Sequence, residues 1–587
     1  MLQSFKLVLT YSVVLSVLFV LVSCGGGTSS PSVTTVPTPS PTPDPVPVDV
    51  TFSVADLTTA SSAEHYPLPM LSKSEQYSPA SVVFSGSLSF SGKELIASIA
   101  DRDWAGGGQK QFPSFTVQLV SDQQKILPLQ RDIISTWQHS NSFWDVVIGT
   151  GQVWQNEDEA GWQHAFLPLH LVSRRVGQVK NCVLTFLYNQ DSVSKAHVQC
   201  DQETSPLGDY QPGNMRGLID VQYQPEDFSN KAELFNQHDQ RLANRLSVRP
   251  WSDIDPNGGL FNLFNTDVAD PSLQSMGAAI VDNTIYLQTP ITRAGAYPFP
   301  DEMRHGVFSV TKTMAGALSL LYLAQRYDQS IFDELISDHV PTLSQHPGWQ
   351  GVTFEHTVNM ATGTVGEDNG NLIVPFILAA SAQAGIDEIA NLPDASPLPG
   401  ATFAYASTHT FVLSTAMQNY VTAKEGNGVY YWDLVRQNVL QVIHADGFLL
   451  QTTEETNGKK GIPTLGWGAF PTIDDTAKIA LLLHNDGQYQ QQQLLHYGRT
   501  REALGKTGKQ GYATGGRSRY RHSFWYREYE SITCSFDVHY MSGHGGNTVS
   551  FMPSGVITVR YMDQNNYNLS PMAAAAENIR SSCVIRR

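Results

Sequence analysis

Two residues at the start of one stretch have the types and the spacing of a hydrolytic site. Ser309 and Lys312 lie three positions apart, so on a helix the hydroxyl and the amine share one face. A serine hydroxyl becomes nucleophilic when a base takes its proton, and a lysine can do so where burial lowers its pKa enough to free the amine. The pair predicts acyl transfer. Because about one Ser-x-x-Lys is expected by chance in a chain this long, a surface serine and lysine is the alternative.

Apolar periodicity predicts the element that positions this pair. Apolar residues recur at helical spacing at Met314, Ala317, Leu318 and Leu321, which indicates a buried helix that begins near Gly306. The start of a helix presents oriented N–H groups, and these favour developing negative charge. The location therefore suits an oxyanion as well as a nucleophile.

Two further stretches carry polar groups suited to the same chemistry. Tyr405-Ala-Ser407 follows a Pro-Gly turn, and a tyrosine can shuttle protons if a nearby cation such as Lys312 stabilises its phenolate. Near the C-terminus, two predicted strands are joined by a Pro-Ser-Gly turn. The first of these strands would carry a His-Gly-Gly sequence, whose glycines let a substrate approach the backbone.

The hairpin also suggests an oxyanion hole. The His-Gly-Gly sequence is His544-Gly545-Gly546, and Asn547 follows it. We expect the backbone N–H of Asn547 and that of Ser309 to hold the oxyanion together.

The first 23 residues have the features of an export signal. Lys6 precedes an apolar run from Leu7 to Val22, which is short for a membrane span. The run ends in Leu-Val-Ser-Cys24, which resembles the bacterial lipobox, where the cysteine becomes the lipidated first residue of the mature protein. A plain secretory signal or an uncleaved anchor is the alternative.

Residues 24–49 form a predicted tether. Proline, serine and threonine dominate this segment without apolar periodicity, so it cannot fold and stays extended at about 3.1 Å per residue. Gly25, and not an aspartate, follows Cys24, which in Gram-negative lipoproteins suggests the outer membrane. We expect an exported, lipid-anchored protein at that membrane, facing the periplasm or the cell surface.

Residues 50–253 are predicted to form an all-β accessory domain of sandwich type. Short runs with strand character are separated by glycine, asparagine and aspartate clusters. Five of the ten tryptophans lie between Trp104 and Trp162, and we interpret them as core residues, with a sugar-binding surface as the alternative. The runs are Ser81 to Phe90, Phe115 to Val120, Trp144 to Gly149, Cys182 to Tyr188 and Ala196 to Cys200.

Cysteine usage fits an exported protein. With Cys24 lipidated, the four others allow three disulfide pairings. Cys182 and Cys200 bracket one predicted hairpin, so we prefer that pair, which leaves Cys534 with Cys583.

Residues 254–587 are predicted to be an α/β sandwich. Strands come first, including a hairpin that turns at Asp282-Asn283, then helices, then strands again, so the two ends of the segment would complete one sheet. The net charge of -17 argues against a nucleic-acid partner. The histidines His305, His356 and His409 are interpreted as structural or rim residues, and neither a metal nor a cofactor is expected.

The three elements in their order resemble the serine β-lactamase and penicillin-binding superfamily, in its class C branch with the related D-aminopeptidases, DD-peptidases and esterases. The resemblance runs from about Gly277 to Met562. It implies the β-lactamase/transpeptidase-like α/β fold and a small-molecule or peptide substrate. The elements that match Ser-x-x-Lys, Tyr-x-Asn and Lys-Thr-Gly in its His-x-Gly form are Ser309-Val-Thr-Lys312, Tyr405-Ala-Ser407 and His544-Gly545-Gly546.

By that resemblance Ser309 is the acylated nucleophile, and Lys312 and Tyr405 share proton transfer. Ser407 and His544 would bind substrate, as would the glycines after His544. Ser407 replaces an asparagine that contacts amide carbonyls in lactamases, and His544 replaces a lysine that holds their substrate carboxylate. Both departures favour an esterase or peptidase-like hydrolase. A literal Lys-Thr-Gly at 506–508 lies in polar sequence without a strand pattern and is interpreted as a loop.

Three functions are compatible with the sequence. The first is a tethered serine hydrolase that cleaves an ester or amide, and the second is a penicillin-interacting DD-peptidase or β-lactamase. The third is a binding or scaffold lipoprotein in which the β-domain carries the function and the hydrolase-like core is catalytically inactive. Retention of the serine, the lysine and the tyrosine together favours an enzyme.

Overall fold

The computed structural model describes residues 52–583 except 74–76, 100–106, 158, 160, 203–212, 365–372, 394–397 and 457. The predicted signal peptide, the tether and the lipidation site at Cys24 lie outside these residues. Within them, no helix combines the length and the apolar character needed to cross a bilayer.

The N-terminal half is built on one eleven-stranded antiparallel sheet. Hydrogen bonding joins its strands in the order β11-β1-β3-β4-β6-β7-β8-β9-β10-β2, and β5 pairs with β7. The strands are β1 Ser85–Phe90, β2 Ile96–Ala97, β3 Phe115–Ser121, β4 Lys125–Pro128, β5 Trp144–Ile148, β6 Gly151–Trp154, β7 Gln163–Ser173, β8 Val179–Tyr188, β9 Ala196–Gln202, β10 Met215–Ile219 and β11 Val221–Pro225.

The C-terminal half is built on a nine-stranded sheet in the order β12-β14-β13-β20-β19-β18-β17-β16-β15. Every neighbouring pair is antiparallel except β12 and β14, which are parallel. The strands are β12 Ser247–Pro250, β13 Gln274–Val281, β14 Thr284–Leu287, β15 Tyr512–Ala513, β16 Arg519–Arg521, β17 Phe524–Glu530, β18 Ser535–Gly543, β19 Asn547–Phe551 and β20 Ile557–Met562.

Most of the α-helices lie in sequence between the two groups of strands that make this second sheet. The sheet is thus completed by the two ends of the segment, as predicted, and the α/β fold class is confirmed. The helices are α1 Val54–Thr58, α2 Leu68–Leu71, α3 Lys231–Ala243, α4 Gly259–Phe264, α5 Leu318–Arg326, α6 Ile336–His339, α7 Phe354–Val358, α8 Ile373–Leu378, α9 Ala382–Ala390, α10 Ser407–Glu425, α11 Tyr431–Val435, α12 Ile473–His484, α13 Tyr497–Ala503 and α14 Ser570–Ile579.

Local sequence explains two turns of the second sheet. Asp282 and Asn283 join β13 to β14, and both have positive φ, the conformation that a two-residue hairpin turn of type I′ requires. Gly555, also at positive φ, follows Pro553 in the turn between β19 and β20. Both predicted turns are confirmed.

The accessory region is mainly β-structure, but it also contains α1, α2 and α3, so the prediction of an all-β domain is only partly right. Eleven of its strands form one continuous hydrogen-bonded ladder and not the two separate sheets of a sandwich. The long hairpin of β7 and β8 is buried at every position. Both of its faces are covered because the C-terminal half packs on it: Phe299 contacts Phe166, and the Tyr297 hydroxyl donates to the Cys182 carbonyl at 2.9 Å. Cys182 faces Cys200 across β8 and β9, and the two predicted disulfides, Cys182–Cys200 and Cys534–Cys583, are both present.

The two halves share hydrogen bonds as well as apolar core. The Asn181 side chain on β8 accepts from the Arg304 N–H at 3.0 Å and donates to the Arg304 carbonyl at 2.9 Å. The Asn181 side-chain amide thus makes the two backbone hydrogen bonds that a neighbouring strand would make with the segment leading to Ser309. The second sheet also includes β12, which the sequence-based boundary at 253 had placed in the accessory domain.

Buried histidines predict that the protein loses stability in acid. Burial lowers the pKa of His170, His305 and His409 to about 3, whereas an unfolded histidine titrates near 6.5. Because the folded pKa is depressed, the unfolded chain binds more protons below pH 6.5. The free energy of unfolding should therefore fall by about 1 to 2 kcal/mol per group between pH 7 and pH 5.

Chemical denaturation at each pH measures this effect. His409→Phe should flatten the pH dependence between pH 7 and pH 5, whereas His139→Asn, at an exposed position, should leave it as in the wild type. Equal slopes for the wild type and His409→Phe would show that His409 does not contribute.

Candidate active site

Ser309 and Lys312 lie in a helical segment of changing pitch. A 3-10 turn, Phe308–Val310, carries Ser309, a π-helical segment follows over Lys312–Ala317, and α5 continues the helix. The predicted helix is therefore present. Single π turns inserted into helices are frequent at functional sites because they redirect side chains.

The Lys312 amine is at the centre of the candidate site. Only 1% of Lys312 is exposed, and its Nζ donates to Ser309 Oγ at 2.8 Å, to Ser407 Oγ at 3.1 Å and to the Gly466 carbonyl at 2.8 Å. Ser309 is only partly buried. A reagent can therefore reach the hydroxyl while the protein shields the amine from water.

Tyr405 also lies beside the lysine. The Lys312 amine is 4.9 Å from the centre of the Tyr405 ring, a distance at which a cation and a ring attract each other. Tyr405 packs against Trp525 at 5.8 Å and precedes α10, whose first residue is Ser407. The structure thus brings together four residues that the sequence singled out from two distant stretches.

The His-Gly-Gly sequence lies at a turn and not within a strand. The strand β18 ends at Gly543, and His544–Gly546 form a 3-10 turn before β19. Gly545 and Gly546 have positive φ values, which a β-strand does not accommodate. The expectation that the sequence lies on the first strand is therefore wrong, although the turn packs beside the nucleophile: the His544 ring contacts Phe308 at 5.0 Å.

Gly543, which the sequence analysis did not single out, lies beside the backbone of Ser309. A Cβ at Gly543 would lie 2.1 Å from the Val307 carbonyl oxygen and 3.2 Å from the Ser309 nitrogen. Asn547 pairs with Gly543 across the hairpin, and its side chain donates to the His544 carbonyl at 2.7 Å and accepts from the Met562 N–H at 3.1 Å. The Asn547 side chain therefore stabilises the turn. The role of the Asn547 backbone N–H in an oxyanion hole stays a prediction.

Burial determines the charge of His544. It lowers the pKa of the imidazole to about 4, so the side chain is neutral at physiological pH. A neutral imidazole can hydrogen-bond to a substrate but cannot offer a full positive charge to a carboxylate.

The accessory region reaches this site through the turn between β7 and β8. The Trp467 indole donates to the Arg175 carbonyl at 2.8 Å, and Gly466, next to Trp467, accepts from Lys312. A Cβ at Gly177 would lie 2.5 Å from the Trp467 carbonyl oxygen and 3.5 Å from the Phe308 ring. These contacts could not be inferred from the sequence, because no local pattern links a β-turn to a loop almost 300 residues away.

The other residues considered in the sequence analysis make contacts of a structural kind. Lys506, of the literal Lys-Thr-Gly, follows α13 and forms an ion pair with Asp486 at 2.6 Å, in accord with its interpretation as a loop. His305 hydrogen-bonds to Ser275, and His409 to Thr364.

Among the residues that the structure describes, one group of side chains has a spacing that could hold a metal ion. It comprises Glu355, Glu502 and His522. Arg499 lies 3.3 Å from both glutamates, and Arg521 forms ion pairs with both. These guanidinium groups already neutralise the carboxylates, so we interpret the group as an ion-pair network.

Comparisons with known proteins give matches among solved structures alone, since no family model and no curated protein matches the chain. A penicillin-binding protein homologue from Caulobacter crescentus aligns at 15% identity and a TM-score of 0.42, over 56% of this chain and 97% of that one. A penicillin-binding protein from Bacillus halodurans gives 17% and 0.40, over 54% and 98%. A D-stereospecific amidohydrolase from Streptomyces sp. gives 14% and 0.40, over 55% and 97%. These three solved structures are thus penicillin-binding proteins and an amidohydrolase.

Proposed function

We propose that the protein is a serine hydrolase that cleaves an ester or amide through an acyl-enzyme on Ser309. The observation that carries the proposal is the 2.8 Å contact between Ser309 Oγ and the buried Lys312 amine. At this distance a neutral amine can take the hydroxyl proton while the oxygen attacks the carbonyl carbon.

The remaining groups complete the reaction. As the Oγ–C bond forms, the Ser309 proton passes to Lys312, and Tyr405 beside it relays a proton to the departing alcohol or amine as the ester or amide bond breaks. A water molecule then adds to the acyl carbon, gives up its proton by the same route and releases the acid and free Ser309. We assign the oxyanion to the Ser309 N–H and to a backbone N–H of the β18–β19 hairpin, in which Gly543 lies beside the Ser309 nitrogen.

The charge of the site favours a general ester or amide substrate over a β-lactam. Where lactamases have a lysine for the substrate carboxylate, this chain has His544, whose low pKa leaves it uncharged at neutral pH. Ser407, in place of an asparagine, is occupied by the Lys312 amine. A DD-peptidase or β-lactamase is the second candidate, and turnover of a β-lactam would distinguish it.

Intact-mass measurement after treatment with a fluorophosphonate tests the proposal. The wild type should gain one phosphonyl adduct and Ser309→Ala none, since the reagent reports a nucleophilic serine whatever the natural substrate. If both folded proteins stay unmodified, the proposed mechanism is contradicted, and a binding or scaffold role of the β-rich half becomes the better explanation. Panels of esters, amides and β-lactams would follow a positive result.

We also propose that the protein is exported and lipid-anchored through Cys24, on the strength of the N-terminal sequence. Intact mass of protein extracted from membranes should then correspond to a chain that begins at an acylated Cys24. A mature chain that begins elsewhere without added lipid would contradict this.

A further inference from the structure

A pocket of about 490 Å³ lies between the two halves of the molecule, apart from the Ser309 site. The accessory sheet contributes Asp145 and Arg174 to it, α11 contributes Trp432, and the segment 448–461 contributes Gln451 and Glu454. Its volume is within the range of small-molecule sites, and boundaries between domains are common places for them. Trp137 and Phe448 contribute apolar surface to the wall of the pocket.

The inner end of this pocket carries polar groups whose hydrogen bonds the described residues leave incomplete. Arg174 Nη1 lies 3.9 Å from Glu454 Oε1, too far for a hydrogen bond, and both side chains are only 12% exposed. Neither Glu454 Oε1 nor the Oε1 of Gln451, which is 7% exposed, receives a hydrogen bond from any residue that the structure describes. Buried polar atoms are normally satisfied, so this end of the pocket is suited to a ligand with both donors and acceptors.

Side chains of both charges meet at this end. Arg174 lies beside Glu454, and Asp145 is the second carboxyl group beside Arg174. Arg175 Nη2 also lies 3.6 Å from Glu454 Oε2, but Arg175 is not part of the pocket lining. Burial raises the pKa of Asp145 to about 6, although the Thr136 N–H donates to its carboxylate at 2.7 Å, and burial also raises the pKa of Glu454. The presence of both a guanidinium group and carboxylates favours a ligand with separated charges over one that carries a single charge.

We infer that the interdomain pocket binds the ammonium and carboxylate groups of a free α-amino acid. The carboxylate accepts from the Arg174 guanidinium, and the ammonium donates to Glu454 and to the Gln451 amide oxygen. In an α-amino acid the two charged groups are bonded to the same carbon, which fits the 3.9 Å separation of Arg174 and Glu454. The aromatic wall then receives the amino-acid side chain. This site is independent of the chemistry proposed at Ser309.

Calorimetric titration with free and capped amino acids tests the inference on the full folded chain. The probes are glycine and both enantiomers of alanine and phenylalanine, each also as the methyl ester and as the N-acetyl derivative. At least one free amino acid should bind, and its two capped forms should bind at least tenfold more weakly, because each lacks one charged group. No binding by any probe, or equal binding of free and capped forms, would overturn the inference.

Substitutions locate the site. Glu454→Gln and Arg174→Gln should each weaken binding of that amino acid at least tenfold. Asp433→Asn, which breaks an ion pair with Lys460 elsewhere in the pocket lining, should leave binding unchanged. Arg174 and Glu454 also connect the two halves, so either variant can fail to fold. In that case the comparison of free and capped ligands on the wild type decides the inference. Unchanged binding in both folded variants would overturn the assignment.

Discussion

Replacing Lys312 with methionine should slow acylation of Ser309 by about 10³-fold, the range that a general base contributes. Methionine keeps an unbranched side chain of similar length in a buried position, but it has no nitrogen to accept the serine proton. It also leaves Ser407 Oγ and the Gly466 carbonyl without the donor that Lys312 supplies. The rate of phosphonyl adduct formation, followed by intact mass, measures the effect without knowledge of the substrate.

The matched control is Lys478→Met. Lys478 is also buried, at 7% exposed, and donates to the His444 carbonyl at 2.7 Å, but no contact joins it to Ser309. This variant should lose stability and retain the wild-type acylation rate. If Lys312→Met folds and reacts as fast as the wild type, Lys312 is not the base, and the 2.8 Å contact is structural.

The residues that make the candidate site could be predicted because their signals are local. A serine and a lysine three apart at the start of an apolar helix indicate a shared face, and the structure confirms the proximity. A turn precedes Tyr405, which lies two residues before the first residue of α10. The two-residue turn at Asp282-Asn283 predicted the hairpin of β13 and β14.

What the sequence did not reveal depends on contacts between distant segments. The His-Gly-Gly sequence is compatible with both a strand and a turn. Only the positive φ values of Gly545 and Gly546 show that it forms a turn. The short strand-like runs of the accessory region predict β-structure but not whether the strands form one ladder or two. Nor do they reveal that the C-terminal half covers β7 and β8, which are buried at every position.

Gly177→Ala, a substitution in the accessory region, should slow Ser309 acylation by about 10²-fold, the cost of misplacing a reacting group by about 1 Å. Gly177 has a φ of 70°, and a Cβ there would lie 2.5 Å from the Trp467 carbonyl oxygen, so this carbonyl has to move. The adjacent Gly466 carbonyl holds the Lys312 amine at 2.8 Å. The displacement is therefore transmitted to the base.

Gly161→Ala separates this effect from backbone strain. Gly161 lies in the same region with a φ of 85°, and a Cβ there would meet no atom within 4 Å, so the substitution imposes a comparable left-handed strain without a clash. Both variants should lose stability in denaturation, Gly177→Ala the more because of its clash, but only Gly177→Ala should acylate slowly. Trp467→Phe, which removes the hydrogen bond to the Arg175 carbonyl, should reduce the rate in the same direction. If Gly177→Ala and Gly161→Ala react equally fast, the accessory region does not position the base, and its contacts with Trp467 serve only to join the two halves.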